Sequence, residues 1–367
     1  MSDSRPRRKT PRERTRRPAA GLPRPVRLIA GESTGSFVTR LAALNDMPVV
    51  ELMERIGDGE RPMPVQSTEV YLNASALQRL AVMSGSSVSG LQRALPHLQA
   101  HHLLDDGSGP AWRWPQWQPR GPLFLVRACD LCAQARRRPS DVYLVSVTRW
   151  RVCARHRRWL DNLREADTTW LSLARLPQVV QAHQKRVALE RRLGAGGRAL
   201  FADALHIAAL WWNVPALSPP AWAARRRMLT EPAGSDLRIA PLVSYPETVR
   251  LAGALASRER RRLRGTWDAG DDQAWSTLTS GLLREWEMPE PAFLALDWWM
   301  DQHSIPAPAL REERPSRGRW RRLPAPLPHT AAPSDTHLEQ LTCLPWRFGD
   351  EPSMPDAARL WSVSGQA

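Results

Sequence analysis

The stretch Asn73-Ala-Ser-Ala-Leu-Gln-Arg-Leu-Ala-Val-Met-Ser-Gly85-Ser-Ser87-Val-Ser-Gly-Leu-Gln-Arg-Ala-Leu95 decides the fold class. Leu77, Leu80 and Ala81 fall on one face at helical spacing, which predicts a helix from about Asn73 to Met83. Gly85 stands where a left-handed glycine ends a helix. Ser87 then offers a capping hydroxyl to a second helix, with Leu91, Ala94, Leu95 and Leu98 as its apolar positions. Two helices joined by so short a glycine-containing turn form a candidate helix-turn-helix. Ser89, Gln92 and Arg93, at the start of the second helix, are then the residues placed to reach base edges.

Working outward, the segment upstream reads in the same way. A short extended piece, Val26 to Ala30, meets Gly31-Glu32-Ser33, and Ser33 is placed to cap a helix with Phe37, Val38, Leu41 and Leu44 inward. Asn45 and Asp46 stop that helix, and Pro48 starts another with Val49, Leu52, Met53 and Ile56 inward. Gly57 to Pro64 reads as a loop, and Trp112 to Arg120 as a Trp/Pro-rich linker. Leu123 to Arg127 and Tyr143 to Thr148 read as short strands. From Thr169 to about His303 the pattern is helical, exemplified by Leu200, Ala204, Ile207, Ala208 and Trp211 and punctuated by Pro215, Pro219, Pro220, Pro232 and Pro246. The pairs Trp211-Trp212 and Trp298-Trp299 are expected in its core. Ten prolines among the 64 residues from 304 onward predict mostly irregular chain. No internal repeat is visible.

The expected architecture is therefore mainly α. A disordered basic arm (1–21) precedes a helical, helix-turn-helix region (22–118). A small ribbon with short strands (119–165), a helical domain (166–303) and a Pro-rich tail (304–367) follow. At 367 residues and 42% hydrophobic side chains, 17 of them Trp, the chain has ample material for a core.

Charge is distributed unevenly. With 52 basic and 37 acidic residues the net charge is +15, and only Lys9 and Lys185 among the cations are lysine. Residues 1–20 hold eight basic and two acidic side chains, and residues 127–158 hold nine arginines and two aspartates, so these segments supply +6 and +7 of the total. A concentration of that kind points to a polyanionic partner, nucleic acid before membrane. The candidate phosphate contacts are Arg7, Arg8, Arg12, Arg14, Arg16 and Arg17 in the arm and Arg136, Arg137, Arg138, Arg155, Arg157 and Arg158 in the ribbon, with Gln92 and Arg93 as base-reading candidates.

The second charged segment surrounds the cysteines. Cys129-x2-Cys132 is followed after twenty residues by Cys153-x2-His156. Two residues between ligands let a tight knuckle place both side chains on one ion, and the twenty between allow a strand and its return. Three thiolates and one imidazole complete a tetrahedral shell with no open position, the pattern of one structural zinc ion per chain. Cys343 stands alone and receives no role.

Several enzyme classes are excluded. Neither lysine lies in a glycine-rich phosphate loop. Gly31-Glu32-Ser33-Thr34-Gly35 fits the nucleophile-elbow string, yet only about thirty residues precede it, too few for a parallel sheet to hold an elbow. Asp268, Asp271 and Asp272 suit a helix N-terminus beside Gly270 better than a metal carboxylate set. His101-His102 has no paired ligand at metal spacing. No apolar run reaches the length of a membrane span, and no apolar stretch follows the N-terminal charges, so a cytoplasmic, non-enzymatic protein is expected.

These pieces together resemble the TniQ family. The resemblance rests on Pro25-Val26-Arg27-Leu28-Ile29-Ala30-Gly31-Glu32-Ser33, Ser36-Phe37, Arg40-Leu41-Ala42 and Asn45. Leu80-Ala81, Gly85, Ser87 and Leu91 follow, and then the knuckle residues Cys129, Cys132, Cys153 and His156 in the same order. Asp130 and Ala154 stand where the family commonly has proline, and Arg157 where it often has glycine. The resemblance implies a non-catalytic accessory protein of DNA transposition. Such a protein helps to select target DNA in company with an AAA+ ATPase and a transposase, with self-association left open. The residues alone equally admit a zinc-containing transcriptional regulator, or an adaptor to a protein–RNA complex.

Overall fold

The computed structural model describes residues 21–59, 68–105, 107, 109–114, 124–134, 142–161, 170–229, 236–263, 269–303, 332, 336–342 and 344–349. The arm arginines Arg7, Arg8, Arg12, Arg14, Arg16 and Arg17, together with Arg136, Arg137, Arg138 and Cys343, lie outside them. The protein is mainly α, with eleven α-helices and three small sheets among the described residues. It divides into two compact units, Met1–Arg151 with Asn162–Glu165, and Val152–Asp161 with Ala166–Ala367.

In the first unit, α1 (Thr34–Leu44) is capped as its sequence demands, Ser33 Oγ accepting from the Ser36 amide at 3.1 Å. Helix α2 (Val49–Ile56) follows Pro48 and buries Leu52, Met53 and Ile56. Strand β1 (Tyr71–Leu72) leads to Asn73, whose Oδ1 accepts from the Ala76 amide at 2.9 Å and caps α3 (Ala74–Ser84). Gly85 adopts φ +66°, and the Ser86 and Gly85 amides reach back to the carbonyls of Ala81 and Val82. That double bond satisfies the helix end and turns the chain at a position that penalises any side chain. Helix α4 (Val88–Ala94) follows, with Ser87 Oγ accepting from the Gly90 amide.

The second helix does not continue to Leu98: Leu95 turns extended ahead of Pro96, and Pro96–Leu98 forms a 3-10 turn. The pre-proline residue is sterically pushed out of the helical region. The supposed linker begins inside the core: Trp112 pairs through β2 (Trp112–Arg113) with β1, is 3% exposed, and donates Nε1–H to the carbonyls of Gly57 and Met53.

Strands β3 (Phe124–Arg127) and β4 (Tyr143–Ser146) pair antiparallel on either side of α5 (Asp130–Gln134). A three-stranded sheet then runs β5 (Trp150–Cys153), β6 (Arg158–Asp161), β7 (Trp170–Ser172).

The second unit is built around α7 (Ala195–Asn213), a helix buried on nearly every side and packed on α6 (Pro177–Leu193) and α9 (Asp236–Leu263). Helix α9 runs through Pro241 and Pro246, where a break at Pro246 was expected. Burial of Leu242, Val243, Tyr245 and Val249 outweighs the lost amide bonds, a proline costing about 3 kcal/mol in an unsupported helix. Helices α8 (Pro220–Met228), α10 (Ala269–Glu285) and α11 (Leu294–Gln302) complete the unit.

Each tryptophan pair splits: Trp211 and Trp299 are fully buried, while Trp212 is half-buried and Trp298 exposed. The described residues of the tail include a 3-10 turn, Leu338–Gln340, and pack against the unit. Leu338, Leu341, Leu344 and Trp346 are buried, and Asn213 bonds the Arg347 carbonyl and the Gly349 amide.

Candidate metal centre

Cys129 lies two residues after β3 and immediately before the short helix α5, on which Cys132 follows within one turn. Cys153 ends β5, and the turn 154–157 brings back His156 before β6. The ligand atoms of Cys129, Cys132, Cys153 and His156 all lie within 4.8 Å of one another. His156 presents Nδ1 to the thiols, 3.6 Å from Cys153 Sγ. Around a tetrahedral ion with bonds of about 2.0–2.3 Å, ligand atoms sit roughly 3.5–3.8 Å apart. The cluster is therefore one small inward movement from a closed coordination shell. Cys129 is buried and the other two cysteines half-buried. Three soft sulfurs and one imidazole nitrogen suit a tetrahedral, redox-inert ion, and the set leaves no position for substrate.

The local fold explains how the first knuckle is held. Glu32 is wholly buried, and its carboxylate accepts from Arg40 Nε and NH2 at 2.7 and 2.6 Å and from Ser36 Oγ at 2.9 Å. Gly31, at φ +79°, accepts at its carbonyl from the Val145 amide. The Ser33 amide donates to the Tyr143 carbonyl, and the Tyr143 amide donates to Ser36 Oγ. The Gly31-Glu32-Ser33 segment thus clamps β4, and Ser33 serves as the helix cap of α1. Nothing at the level of spacing announced this role, because the partners stand more than a hundred residues apart.

The second knuckle leads into β6, where Trp159 is fully buried against Tyr245 at 5.7 Å and Asp161 pairs with buried Arg238. Neither anchor was singled out from the sequence.

Among the described DNA-contact candidates, Arg93, Arg155 and Arg157 are exposed and Gln92 is half-buried. Arg93 Nε bonds the Ser89 carbonyl at 3.2 Å, holding the side chain along α4. Arg158 is half-buried, with its guanidinium 3.9 Å from the Trp170 ring centroid. Arg157 occupies φ +50°, the left-handed region in which glycine is at ease. Trp222 and Arg225, of the types that anchor interfaces, are internal: Glu247 accepts from Trp222 Nε1 at 3.0 Å and from both Arg225 nitrogens at 2.6 Å. His102 meets buried His97 edge-on and His101 at a tilt, and His97 Nδ1 lies 3.0 Å from Glu69.

Comparison with protein families matches residues 23–160 to the TniQ family. That segment contains the clamp, the α3–α4 pair and all four ligand residues. No curated protein and no solved structure matches the chain. No helix among the described residues is long and apolar enough to cross a membrane.

Proposed function

We propose that this chain is a non-catalytic accessory protein of DNA transposition, which binds target DNA and links it to an AAA+ ATPase and a transposase. The observation that carries the reading is the TniQ match over residues 23–160, with a complete Cys3His set inside it. Zinc would be held by Cys129, Cys132, Cys153 and His156, where its chemistry is structural: it neutralises the thiols and fixes the knuckle surface. Arg155, Arg157 and Arg158 adjoin His156 in the chain, and Arg7, Arg8, Arg12, Arg14, Arg16, Arg17, Arg136, Arg137 and Arg138 supply further positive charge in the sequence. Arg93, exposed in the last turn of α4, and half-buried Gln92 beside it are the base-reading candidates. Self-association and a cytoplasmic location are compatible with this reading.

The test is a reconstituted insertion assay with a candidate AAA+ ATPase and transposase, with and without the purified chain. Insertion that depends on the chain, and selects different sites when it is present, is the expected result. Insertion indifferent to its presence would overturn the accessory role. Deleting residues 1–20 should flatten the salt dependence of duplex binding by about 0.9 in log–log slope for each phosphate that the arm no longer neutralises.

A further inference from the structure

The region from 166 to 303 is close to neutral in sequence, with 17 basic and 15 acidic residues, yet its charges are not spread evenly in space. Among its described acids, Asp203, Glu247, Glu259 and Glu190 are buried or half-buried and held within the unit, while Glu285, Glu287, Glu290, Asp297 and Asp301 are exposed on or beside α10 and α11. Glu247 takes Arg225, Glu259 takes Arg258 and Arg262, and buried Asp203 accepts from Trp299. On α6 this leaves the cations outside. Gln181, Gln184, Lys185, Ala188, Arg191 and Arg192 recur at helical spacing on one face, and all six are exposed. The opposite face buries Val179, Ala182, Arg186, Leu189 and Leu193 against the unit. The helix's one acid, Glu190, is held by Arg186 at 2.6 Å.

Lys185, Arg191 and Arg192, with exposed Arg175 in the turn before the helix, make no ion pair or hydrogen bond among the described residues. Elsewhere in the unit the exposed Arg250 is matched by Glu285. The helix dipole accounts for cations in the last turn, at about 0.3–1 kcal/mol each. It does not account for Lys185 at mid-helix or for Arg175 ahead of the first turn.

We propose that this face of α6 is a phosphate-contact surface for duplex DNA, a site in the second unit separate from the arm and the ribbon. Lys185 and Arg192 lie two turns apart, about 10.5 Å along the axis, far enough for each to reach a different phosphate of one duplex. Gln181 and Gln184 add amide donors, and Ala188 between the cations leaves room for a backbone to approach. The choice of DNA as the polyanion rests on the transposition reading above; the surface itself rests on the unpaired cations.

The experiment measures duplex binding by the full-length chain across a salt series. It compares the unsubstituted protein with Lys185→Gln/Arg192→Gln and with Arg226→Gln/Arg227→Gln, a second pair of exposed arginines on α8. With two fewer phosphates neutralised, the slope of log K against log salt should fall by about 1.8 in the α6 variant. The α8 variant should retain the original slope. All four substituted positions are exposed, and unchanged far-UV dichroism confirms an intact fold. An unchanged slope in the α6 variant, or an equal decrease in both variants, overturns the surface while leaving the DNA reading standing. Absence of duplex binding by the unsubstituted chain overturns the DNA reading and this assignment together. Tighter binding to an RNA duplex of the same length overturns the assignment to DNA.

Discussion

Replacing Glu32 by glutamine tests whether the opening motif is the clamp that holds the first knuckle. Glu32 is fully buried and Arg40 is 7% exposed, so the substitution strips the counter-charge from a guanidinium with almost no access to water. Breaking a buried pair by removing one partner costs about 3–5 kcal/mol. Glutamine keeps one oxygen for Ser36 and Arg40, so the lower end of that range, about 3 kcal/mol, applies. At 1.4 kcal/mol per tenfold, this corresponds to roughly a hundredfold loss of protection. The loss should appear first in the amides that carry the clamp, Ser33, Tyr143 and Val145. Amide hydrogen exchange is the assay, because a chain of two units need not unfold in one step. Arg40→Met alone should cost a similar amount. The Glu32→Gln/Arg40→Met double variant should cost less than the sum by about 1–3 kcal/mol, since it removes the orphaned charge. Additive costs, or unchanged exchange at Tyr143 and Val145, would refute the clamp.

Other perturbations bear on the metal, on backbone strain and on pH. Elemental analysis of protein purified without chelator should find one zinc per chain; acid or chelator should release it and raise exchange over 124–134 and 142–161, because ligation needs thiolates and neutral imidazole. A metal content near zero would sink the assignment. Arg157→Gly should stabilise the protein by up to about 1 kcal/mol by relieving a left-handed backbone, while weakening duplex binding; a lower melting temperature would show that the strain is illusory.

Burial pushes the Asp203 carboxyl up to about 6, against the pull of His303 and Trp299. A raised carboxyl stabilises the fold below its ordinary range near 3.8, and that contribution is lost as pH climbs through about 6. Asp203→Asn, which keeps an acceptor for Trp299, should therefore raise the melting temperature at pH 7.5 more than at pH 4. Burial, reinforced by the Arg347 cation, drives His206 down to about 3. Its contribution is present above its ordinary 6.5 and is lost as pH falls from there, so acid should loosen residues 344–349 first; uniform exchange across the second unit at pH 5 would contradict this.

Local chemistry was legible in the sequence. The caps Ser33 and Ser87, the left-handed Gly85 and the ligand spacing each act within a few residues of themselves, so a linear reading suffices for them. Helical periodicity likewise exposed the mainly α class, because a buried stripe must recur every three to four residues wherever the helix packs. Tertiary structure decided everything that depends on which distant groups share a dry interior. Trp222 and Arg225 look like interface anchors in one dimension and become core once Glu247 meets them. Pro246 reads as a break and is overruled by the packing of α9 on α7. The tail reads as irregular, yet Asn213 fastens Arg347 and Gly349 across 134 and 136 residues. A buried charge or amide must find a partner whatever the distance along the chain. That requirement, absent from any local pattern, set buried Glu247 and Glu259 against internal arginines, while Lys185, Arg191 and Arg192 of α6 face outward.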